Sequence, residues 1–448
     1  MDGSEKVKIK RKFRMSSFQK IIIGFAGVVL LGALLLSLPI SSREGIPTRF
    51  DEALFTSTSA VCVTGLVVKD TATYWSGFGQ AIILVMIQIG GLGVITVAAL
   101  ISLIAGRKIS LGQRSTMQEA ISAPKVGGIV KLTLFILTMT GLFEALGAAI
   151  MMPSFIHHFG PRGIWMAIFH SISAFCNAGF DLLGSQTAEF SSLTAFRTDP
   201  LINIVIIALI ITGGIGYMTW DDVRRNKLRL KKYSMQSKII LVTGLVLTVI
   251  PALLFFIFEF SDVPVGERIL ASLFQAVTPR TAGFNTVDLN KMNSAGRAII
   301  TVLMLIGGAP GSTAGGMKTT TVAVLFGSMV TVFRRKKETG FFGRRIDPEV
   351  SRNALAILML YISLFIGGGL AISAIEGIPV GTCLFETASA VGTVGLTLGI
   401  TPMLGLGSKI ILMVLMFVGR VGGLTLIYAA ISDKRDNSRL PLDKLTVG

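Results

Sequence analysis

Four short segments of the chain carry a glycine in one register, and each glycine is followed directly by Leu or Phe. When Phe55, Phe169, Leu273 and Phe385 are aligned, the glycine lies ten residues after each of them. Glycine permits backbone conformations that turn a carbonyl oxygen inward, and such oxygens can replace the water around a dehydrated cation. The sequence therefore predicts a cation filter built from backbone oxygens. The predicted filter residues are Val61, Cys62, Val63, Thr64, Gly65, Cys176, Asn177, Ala178, Gly179, Arg280, Thr281, Ala282, Gly283, Gly392, Thr393, Val394 and Gly395.

Another glycine-rich stretch separates two apolar runs at 298–306 and 321–332. Its glycines and proline cannot continue a helix at low cost, yet each flank alone is too short to cross a bilayer. Broken backbone at membrane depth is tolerated only inside protein or beside a water-filled cavity. We therefore predict a pore gate, with a short loop outside the membrane as the alternative. The predicted gate residues are Gly308, Ala309, Pro310, Gly311, Ser312, Thr313, Ala314, Gly315 and Gly316, with the cationic residues Lys318 and Arg420.

Ionisable side chains within apolar runs add further hypotheses, because charge in a bilayer is costly and usually functional. Arg420 is expected beneath the filter as an electrostatic barrier to cations, with a structural pair to Glu144 as the alternative. Lys318 could instead extend to the cytoplasmic edge of the membrane. A brace between Arg280 and Glu386 behind the filter is a separate hypothesis.

Three aspartates follow filter glycines closely, namely Asp70, Asp181 and Asp288. They could form an outer mouth that concentrates cations. Ordinary turn aspartates, which hydrogen-bond their own backbone, are the alternative.

An internal repeat supplies the elements that must position these residues. Each copy is predicted to be a span, a re-entrant loop and a second span, because a run such as 51–64 is too short to cross. The second spans of repeats 1, 2 and 4, predicted near 79–105, 200–219 and 408–431, share glycine doublets with the second span of repeat 3, and only in repeat 3 is the doublet expanded into a break. The predicted fold is an all-α membrane protein of four span–pore-loop–span repeats, with eight transmembrane helices around a pseudo-fourfold pore. The predicted boundaries are a cytoplasmic N-terminus at 1–17, repeat 1 at 18–105, repeat 2 at 106–222, repeat 3 with the gating loop at 223–333, repeat 4 at 334–431 and a cytoplasmic tail at 432–448.

Composition and charge agree with a membrane protein. Of the 448 residues, 51% are hydrophobic and 15% charged, whereas soluble proteins carry about a quarter of charged residues. The net charge of +17 does not indicate nucleic acid, because Lys and Arg cluster in segments that alternate with segments poor in them. This positive-inside pattern predicts a multi-pass membrane protein with both termini in the cytoplasm. We expect it in the plasma membrane, with binding to membrane lipid of negative charge or to an acidic partner as an addition. The basic segments are 6–20, 107–131, 224–238, 334–352 and 434–444.

The sequence contains no pattern that predicts catalysis or a bound cofactor. Three cysteines without a CxxC pair argue against a disulfide framework or a zinc site. No nucleophile elbow is present, and the glycine-rich stretch lacks the strand that a nucleotide-binding loop requires. We therefore expect a protein that is not an enzyme.

The chain resembles the Trk/Ktr/HKT superfamily of potassium transporters, and within it the bacterial Ktr-type membrane subunit. The resemblance extends over nearly the whole chain and is most specific at 276–284, 389–396, 89–93 and 417–420. It implies that the four loop glycines form a potassium filter, and that glycine rather than serine at Gly65 favours potassium over sodium. It further implies that the stretch from Gly308 to Lys318 is a gating loop and that Arg420 is the pore arginine.

The resemblance also implies partners. Ktr-type subunits are homodimers with one pore per subunit, sit on a cytosolic octameric ring that binds ATP or ADP, and are often stimulated by Na⁺. We therefore expect potassium uptake driven by the membrane potential, with nucleotide bound only by the separate regulatory subunit. The alternative is a sodium- or proton-coupled symporter that works by alternating access, because broken helices also occur in such carriers.

Overall fold

The computed structural model describes residues 15–106, 109–121, 125–184 and 188–430, so the predicted tail and most of the N-terminal segment lie outside the described residues. Numbered from the N-terminus, the α-helices of the described residues are α1 (Ser17–Leu36), α2 (Phe50–Val61), α3 (Gly77–Leu92), α4 (Val94–Ile104), α5 (Leu111–Ile121), α6 (Ile129–Phe159), α7 (Arg162–Phe175), α8 (Pro200–Gly214), α9 (Tyr217–Asn226), α10 (Met235–Phe258), α11 (Val265–Val277), α12 (Ser294–Met304), α13 (Thr319–Phe333), α14 (Pro348–Glu376), α15 (Val380–Gly392), α16 (Leu406–Val421) and α17 (Gly423–Ala430).

Each repeat begins with a long apolar helix, α1, α6, α10 or α14. Within the described residues these four are long and apolar enough to cross a membrane, and two bent helix pairs could add two further spans. Only 22% of the apolar window of α10 and 17% of that of α14 are buried. The outer faces of these helices are thus apolar and exposed, as contact with lipid requires.

A short pore helix packs against each long helix and ends just before a filter glycine. These helices are α2, α7, α11 and α15, with 12, 14, 13 and 13 residues. None is long enough to cross a bilayer, which needs about 20 residues. The protein is therefore an all-α membrane protein of four span–pore-loop–span repeats around a pseudo-fourfold axis, as the sequence predicted.

The second helix of every repeat is interrupted, and the prediction that only the third is broken is wrong. Helices α3 and α4 meet at an angle of 100°, and α8 and α9 at 97°. Gly93, Gly216 and Gly422 occupy the three short breaks with nearly the same conformation, φ +86°, +86° and +91°. L-residues with a side chain rarely adopt this conformation, so each glycine ends one helix segment and starts the next. The third repeat differs only in the length of its break, between α12 and α13.

Glycines just before these breaks allow the second helices to approach the ends of the pore helices. A Cβ on Gly90, Gly213 or Gly419 would lie 2.1, 1.9 or 2.2 Å from the carbonyl oxygen four residues before the filter glycine of the same repeat. Any larger residue would therefore displace the end of the pore helix. The glycine doublets thus fix the distance between each second helix and its own filter segment.

Gly213→Ala should lower the thermal stability of the protein, although alanine is normally the better helix former by about 1 kcal/mol. The added methyl group would press on the carbonyl oxygen of Phe175, and overpacking of this kind costs about 1–3 kcal/mol. Gly141→Ala in α6 is the matched control, because nothing lies within 4 Å of its Cβ position. Thermal unfolding in detergent should show a lower midpoint for the first variant only, and equal midpoints would contradict the packing argument.

The basic segments between repeats contain structure that the sequence did not predict. Helix α5 connects repeats 1 and 2 and packs against α1 and α4. Between repeats 3 and 4, the strands β1 (Gly340–Phe341) and β2 (Arg344–Arg345) form an antiparallel hairpin. These additions leave the helical class of the fold unchanged.

Candidate ion pathway

The four predicted filter segments meet in a closed ring. Each filter glycine lies so close to the next repeat that a Cβ placed on it would contact the carbonyl oxygen just before the neighbouring glycine. From that Cβ position to the carbonyl oxygen, the distance is 2.5 Å for Gly65 and Ala178, 2.8 Å for Gly179 and Ala282, 2.2 Å for Gly283 and Val394, and 2.2 Å for Gly395 and Thr64. The contacts run from repeat 1 to 2, 3, 4 and back to 1, so repeats 1 and 3 face each other, as do repeats 2 and 4.

The backbone of the four segments also repeats in detail. The filter glycines have φ of +92°, +68°, +79° and +95° in chain order. Two residues before each glycine, a residue with a side chain is also left-handed, which is uncommon and requires support from the surrounding structure. These residues are Val63, Asn177, Thr281 and Thr393, with φ between +53° and +70°. One unusual backbone conformation is therefore imposed on four different sequences.

Amide groups in these segments hydrogen-bond within their own repeat and leave carbonyl oxygens at the ring. In three repeats, the amide of the residue before the glycine donates to a backbone carbonyl of the pore helix at 2.8 Å. The pairs are Thr64 to Ser59, Ala178 to Ser173 and Val394 to Ser389. Side-chain oxygens at the ring are also free. Within the described residues, Oγ1 of Thr64, Thr281 and Thr393 and Oδ1 of Asn177 are buried without a hydrogen-bond partner. Buried unpaired oxygens are costly unless something such as a dehydrated cation binds them.

A cavity of about 190 Å³ lies against the filter glycines and contains all three predicted aspartates. Asp70 accepts hydrogen bonds from the amides of Ala72, Thr73 and Phe190, each at 2.9 Å. Asp181 and Asp288 accept from amides two residues further along the chain, each at 3.0 Å. Each aspartate is thus a turn residue and also lines the cavity at the glycine end of the ring.

The predicted gating stretch lies inside the helix bundle and is hydrogen-bonded to the glycine doublets of two other repeats. The amides of Ala309 and Thr313 donate to the carbonyls of Gly214 and Gly213 in α8, at 2.9 and 3.3 Å. The amide of Gly316 donates to Gly419 in α16 at 3.1 Å. The breaks in the second helices therefore provide the free carbonyls that hold this loop.

The loop also touches the filter segments directly. The Thr313 hydroxyl donates to the carbonyl of Phe175 at 3.0 Å and accepts from the side-chain amide of Asn177 at 3.1 Å. A Cβ on Gly315 would lie 2.2 Å from Oγ1 of Thr393. The loop therefore lies next to the filter segments of repeats 2 and 4.

Two cationic side chains bind three consecutive carbonyl oxygens of the loop. Arg420 donates to Thr313 in the loop, and also to Gly90 and, at 3.0 Å, to Gly91 in α3. Nζ of Lys318 donates to Ala314 at 2.7 Å and to Gly315 at 3.4 Å. The ammonium group of Lys318 is therefore bound within the loop. The loop carbonyls that could coordinate an ion are occupied by protein cations.

Within the described residues, Arg420 does not form the carboxylate pair considered as its alternative role, and Arg280 does not form the brace that was hypothesised for it. Arg420 binds carbonyls rather than Glu144, which accepts a hydrogen bond from Gln88 at 3.2 Å. Within the part of the chain that the structure describes, Arg280 and Glu386 form no ion pair, so the hypothesised brace between them is not found. The guanidinium of Arg280 donates to the Gly244 carbonyl and the Thr248 hydroxyl in α10, at 3.3 and 2.7 Å. The predicted filter residue Arg280 thus directs its side chain to a membrane helix rather than to the ring.

On the other side of the loop lies a cavity of about 280 Å³, lined by Arg420, Lys318 and residues of α5 including Glu119. The sequence analysis did not predict that α5 would pack against the loop. The Ile121 carbonyl oxygen of α5 would lie 2.4 Å from a Cβ on Gly311. The pairing of Asn177 with Thr313 was not predicted either. The basic character of residues 107–131 concealed α5, because it suggested only a charged loop.

Together, the fold and the closed ring of carbonyl-lined segments define a multi-pass pore-loop membrane protein. The family profile described as "TrkH: Cation transport protein" matches residues 6–438. The chain belongs to this family of cation transport proteins.

Individual relatives match over their full length. The chain is 39% identical over 455 residues to the potassium/sodium uptake protein NtpJ of Enterococcus hirae, with 99% of each chain covered. It is 39% identical over 451 residues to the Ktr system potassium uptake protein B of Bacillus subtilis, again with 99% of each chain covered. The crystal structure of the potassium transporter TrkH from Vibrio parahaemolyticus shares the fold, with a TM-score of 0.72 and 18% identity over 94% of this chain and 86% of that one.

Proposed function

We propose that the protein takes up potassium across the plasma membrane through the ring of four glycine segments. The observation that carries the proposal is the cyclic contact between each filter glycine and the carbonyl oxygen of the next repeat. A narrow ring of backbone oxygens can replace the hydration shell of a monovalent cation. The names of the two relatives that are 39% identical support potassium as the transported ion.

The stretch from Gly308 to Lys318 is the gate of this pathway. The loop lines the cavity that contains Arg420, whereas the filter glycines line the other cavity. Its carbonyls at residues 313–315 bind Arg420 and Lys318, so a permeating cation meets two protein cations there instead of free oxygens. Opening requires that these carbonyls be released and that the loop move away from Thr393.

Coupled symport by alternating access is the competing function, and the interruption of all four second helices favours it. The closed ring favours a pore, because it surrounds a single axis without a division into two moving halves. Reconstituted protein with potassium as the sole permeant cation, at fixed pH, distinguishes the two. Potential-driven uptake supports the pore, whereas a requirement for a sodium or proton gradient supports symport.

Regulation and assembly form a further part of the proposal. The protein forms a homodimer with one pathway per subunit, both termini in the cytoplasm, and binds a cytosolic octameric ring that carries ATP or ADP. Na⁺ acts as an activator rather than as a resident cofactor. The similarity to a Ktr system subunit supports this arrangement, and co-purification with a nucleotide-binding subunit tests it.

Deleting residues 310–315 should raise potassium flux in a transport-deficient strain without changing the preference for potassium over sodium. The deletion removes the loop carbonyls that bind Arg420 and Lys318 but leaves the ring of glycines intact. The unmodified protein and a Gly367→Ser variant in α14, where nothing lies within 4 Å of the new Cβ, serve as controls. Loss of flux without any rise in leak, in a variant that still folds, would count against the gate.

A further inference from the structure

In two pore helices, the buried polar side chain nine residues before the filter glycine contacts the segment that follows that glycine. These residues are His170 in α7 and Glu386 in α15, and both are 0% exposed. Each accepts a hydrogen bond from the amide three residues after the glycine of its own repeat. The distances are 3.4 Å from Leu182 N to Nε2 of His170 and 3.1 Å from Leu398 N to Oε1 of Glu386.

Glu386 accepts two further hydrogen bonds from the same outer segment. The hydroxyl of Thr397 donates to Oε1, and that of Thr401 donates to Oε2 at 2.9 Å. Among the residues that the structure describes, no Lys or Arg forms an ion pair with this carboxylate. The surroundings of Glu386 therefore provide hydrogen-bond donors, all from the stretch that follows Gly395.

His170 is held in one orientation by its other ring nitrogen. Nδ1 lies 2.7 Å from the carbonyl of Met166, which can only accept, so Nδ1 carries the proton and Nε2 is free to accept from Leu182. The ring also stacks against Phe155, with centroids 5.1 Å apart, and lies 6.3 Å from Phe284 of the next repeat. The side chain thus links the pore helix, the outer filter segment and a neighbouring repeat.

The other two repeats lack this contact. The equivalent residues are Thr56, whose hydroxyl donates to the Glu52 carbonyl within its own helix, and Phe274, which has no polar side-chain atom. Repeats 2 and 4 face each other across the ring, so the two contacts support opposite walls of the filter. The carbonyl of Val394 lies directly against Gly283, and the segment that Glu386 holds follows directly after Val394 and Gly395.

We propose that Glu386 and His170 are positioning residues that hold opposite walls of the filter from behind and thereby determine its preference for potassium over sodium. Ion preference depends on how far the carbonyl oxygens can follow a smaller ion inward. A wall fixed by buried hydrogen bonds resists that movement. The inference rests on the proposed function, because it assumes that the ring is the filter.

Uptake of potassium and of sodium by Glu386→Leu, Glu386→Gln and His170→Phe tests the proposal, with thermal unfolding measured on each purified variant. Glu386→Leu removes all the acceptors and should reduce the potassium-to-sodium preference by about tenfold, the ratio expected for a change of about 1.4 kcal/mol. His170→Phe keeps the aromatic contacts but loses the acceptor, and should also reduce the preference. Glu386→Gln keeps a carbonyl acceptor and should retain most of the preference, because the role is geometric.

Thr56→Val is the matched control, because it removes a hydroxyl at the same register position without removing a contact to an outer segment. If Glu386→Leu does not fold, the double variant Thr397→Val, Thr401→Val removes two of the three donors while leaving Glu386 in place.

A preference that is unchanged in Glu386→Leu or in the double variant overturns the proposal. An equal loss in Glu386→Gln and Glu386→Leu also overturns it, since charge rather than position would then matter. If the unmodified protein takes up no potassium, the proposed function fails as well, whereas normal uptake with unchanged preference removes only the present inference.

Discussion

Gly283→Ser should lower potassium uptake by about 10- to 100-fold and reduce the preference for potassium over sodium. Gly283 has φ +79°, a conformation that costs a residue with a side chain about 1–2 kcal/mol. Its new Cβ would also lie 2.2 Å from the carbonyl oxygen of Val394. Because that oxygen is part of the ring, relief of the clash would displace an oxygen that we propose as an ion ligand. Uptake in a strain that lacks potassium transport, measured in potassium and in sodium, provides the test.

Gly266→Ser in α11 is the control for this prediction. It places the same residue in the pore helix of the same repeat, at a position where nothing lies within 4 Å of the new Cβ. Uptake by this variant should match that of the unmodified protein. If Gly283→Ser retains the original ion preference at normal expression, the ring is not the filter.

Arg420→Gln should raise the potassium leak through the closed protein by roughly 100-fold while ion preference stays the same. The guanidinium joins Thr313 of the loop to Gly90 and Gly91 of repeat 1. A hydrogen bond from a charged donor contributes about 1.5–3 kcal/mol. A loss of about 3 kcal/mol from the closed state increases the open fraction by about two orders of magnitude. Efflux of rubidium from loaded proteoliposomes measures the leak.

Arg420→Lys separates the two roles that this side chain can have. Lysine keeps the positive charge beneath the filter, but its single ammonium group cannot reproduce the fork that reaches three carbonyls. A leak similar to that of Arg420→Gln would assign closure to the hydrogen bonds, whereas little leak would assign it to the charge. Lys409→Gln in the same helix is the control for removal of a positive charge. Reduced flux with no leak in a folded Arg420→Gln protein would contradict the gating role.

The sequence alone was sufficient for the fourfold repeat, the re-entrant segments and the four glycines that meet in the ring. These features depend on local requirements. Filter glycines have positive φ and no room for a Cβ, and a run of 12 to 14 apolar residues cannot cross a bilayer. Such constraints act directly on the residue type, so the same residue recurs at the same position in each copy even where the neighbouring residues differ. The location of the long break in repeat 3 was visible for the same reason.

The partners of the buried charges were decided by the tertiary structure. Arg420 and Arg280 bind backbone carbonyls, whereas the sequence offered a carboxylate partner to Arg420 as an alternative and to Arg280 as a hypothesis. Charge patterns suggest opposite charges as partners, but a broken helix in a membrane also frees carbonyl oxygens that must find donors. Gly93 and Gly216, read in the sequence as close-packing glycines, create such breaks in repeats where an unbroken span was expected.

Sequence and tertiary structure thus determine different features of the four glycine segments. Their residue types and register come from requirements that the chain expresses locally. The order in which they touch, from Gly65 to Ala178 and onward to Thr64, depends on how four separate repeats pack around one axis. Contacts between residues more than 100 positions apart leave no periodic trace in a single sequence, so only the assembled fold could show which carbonyl faces which glycine and which cation holds the loop.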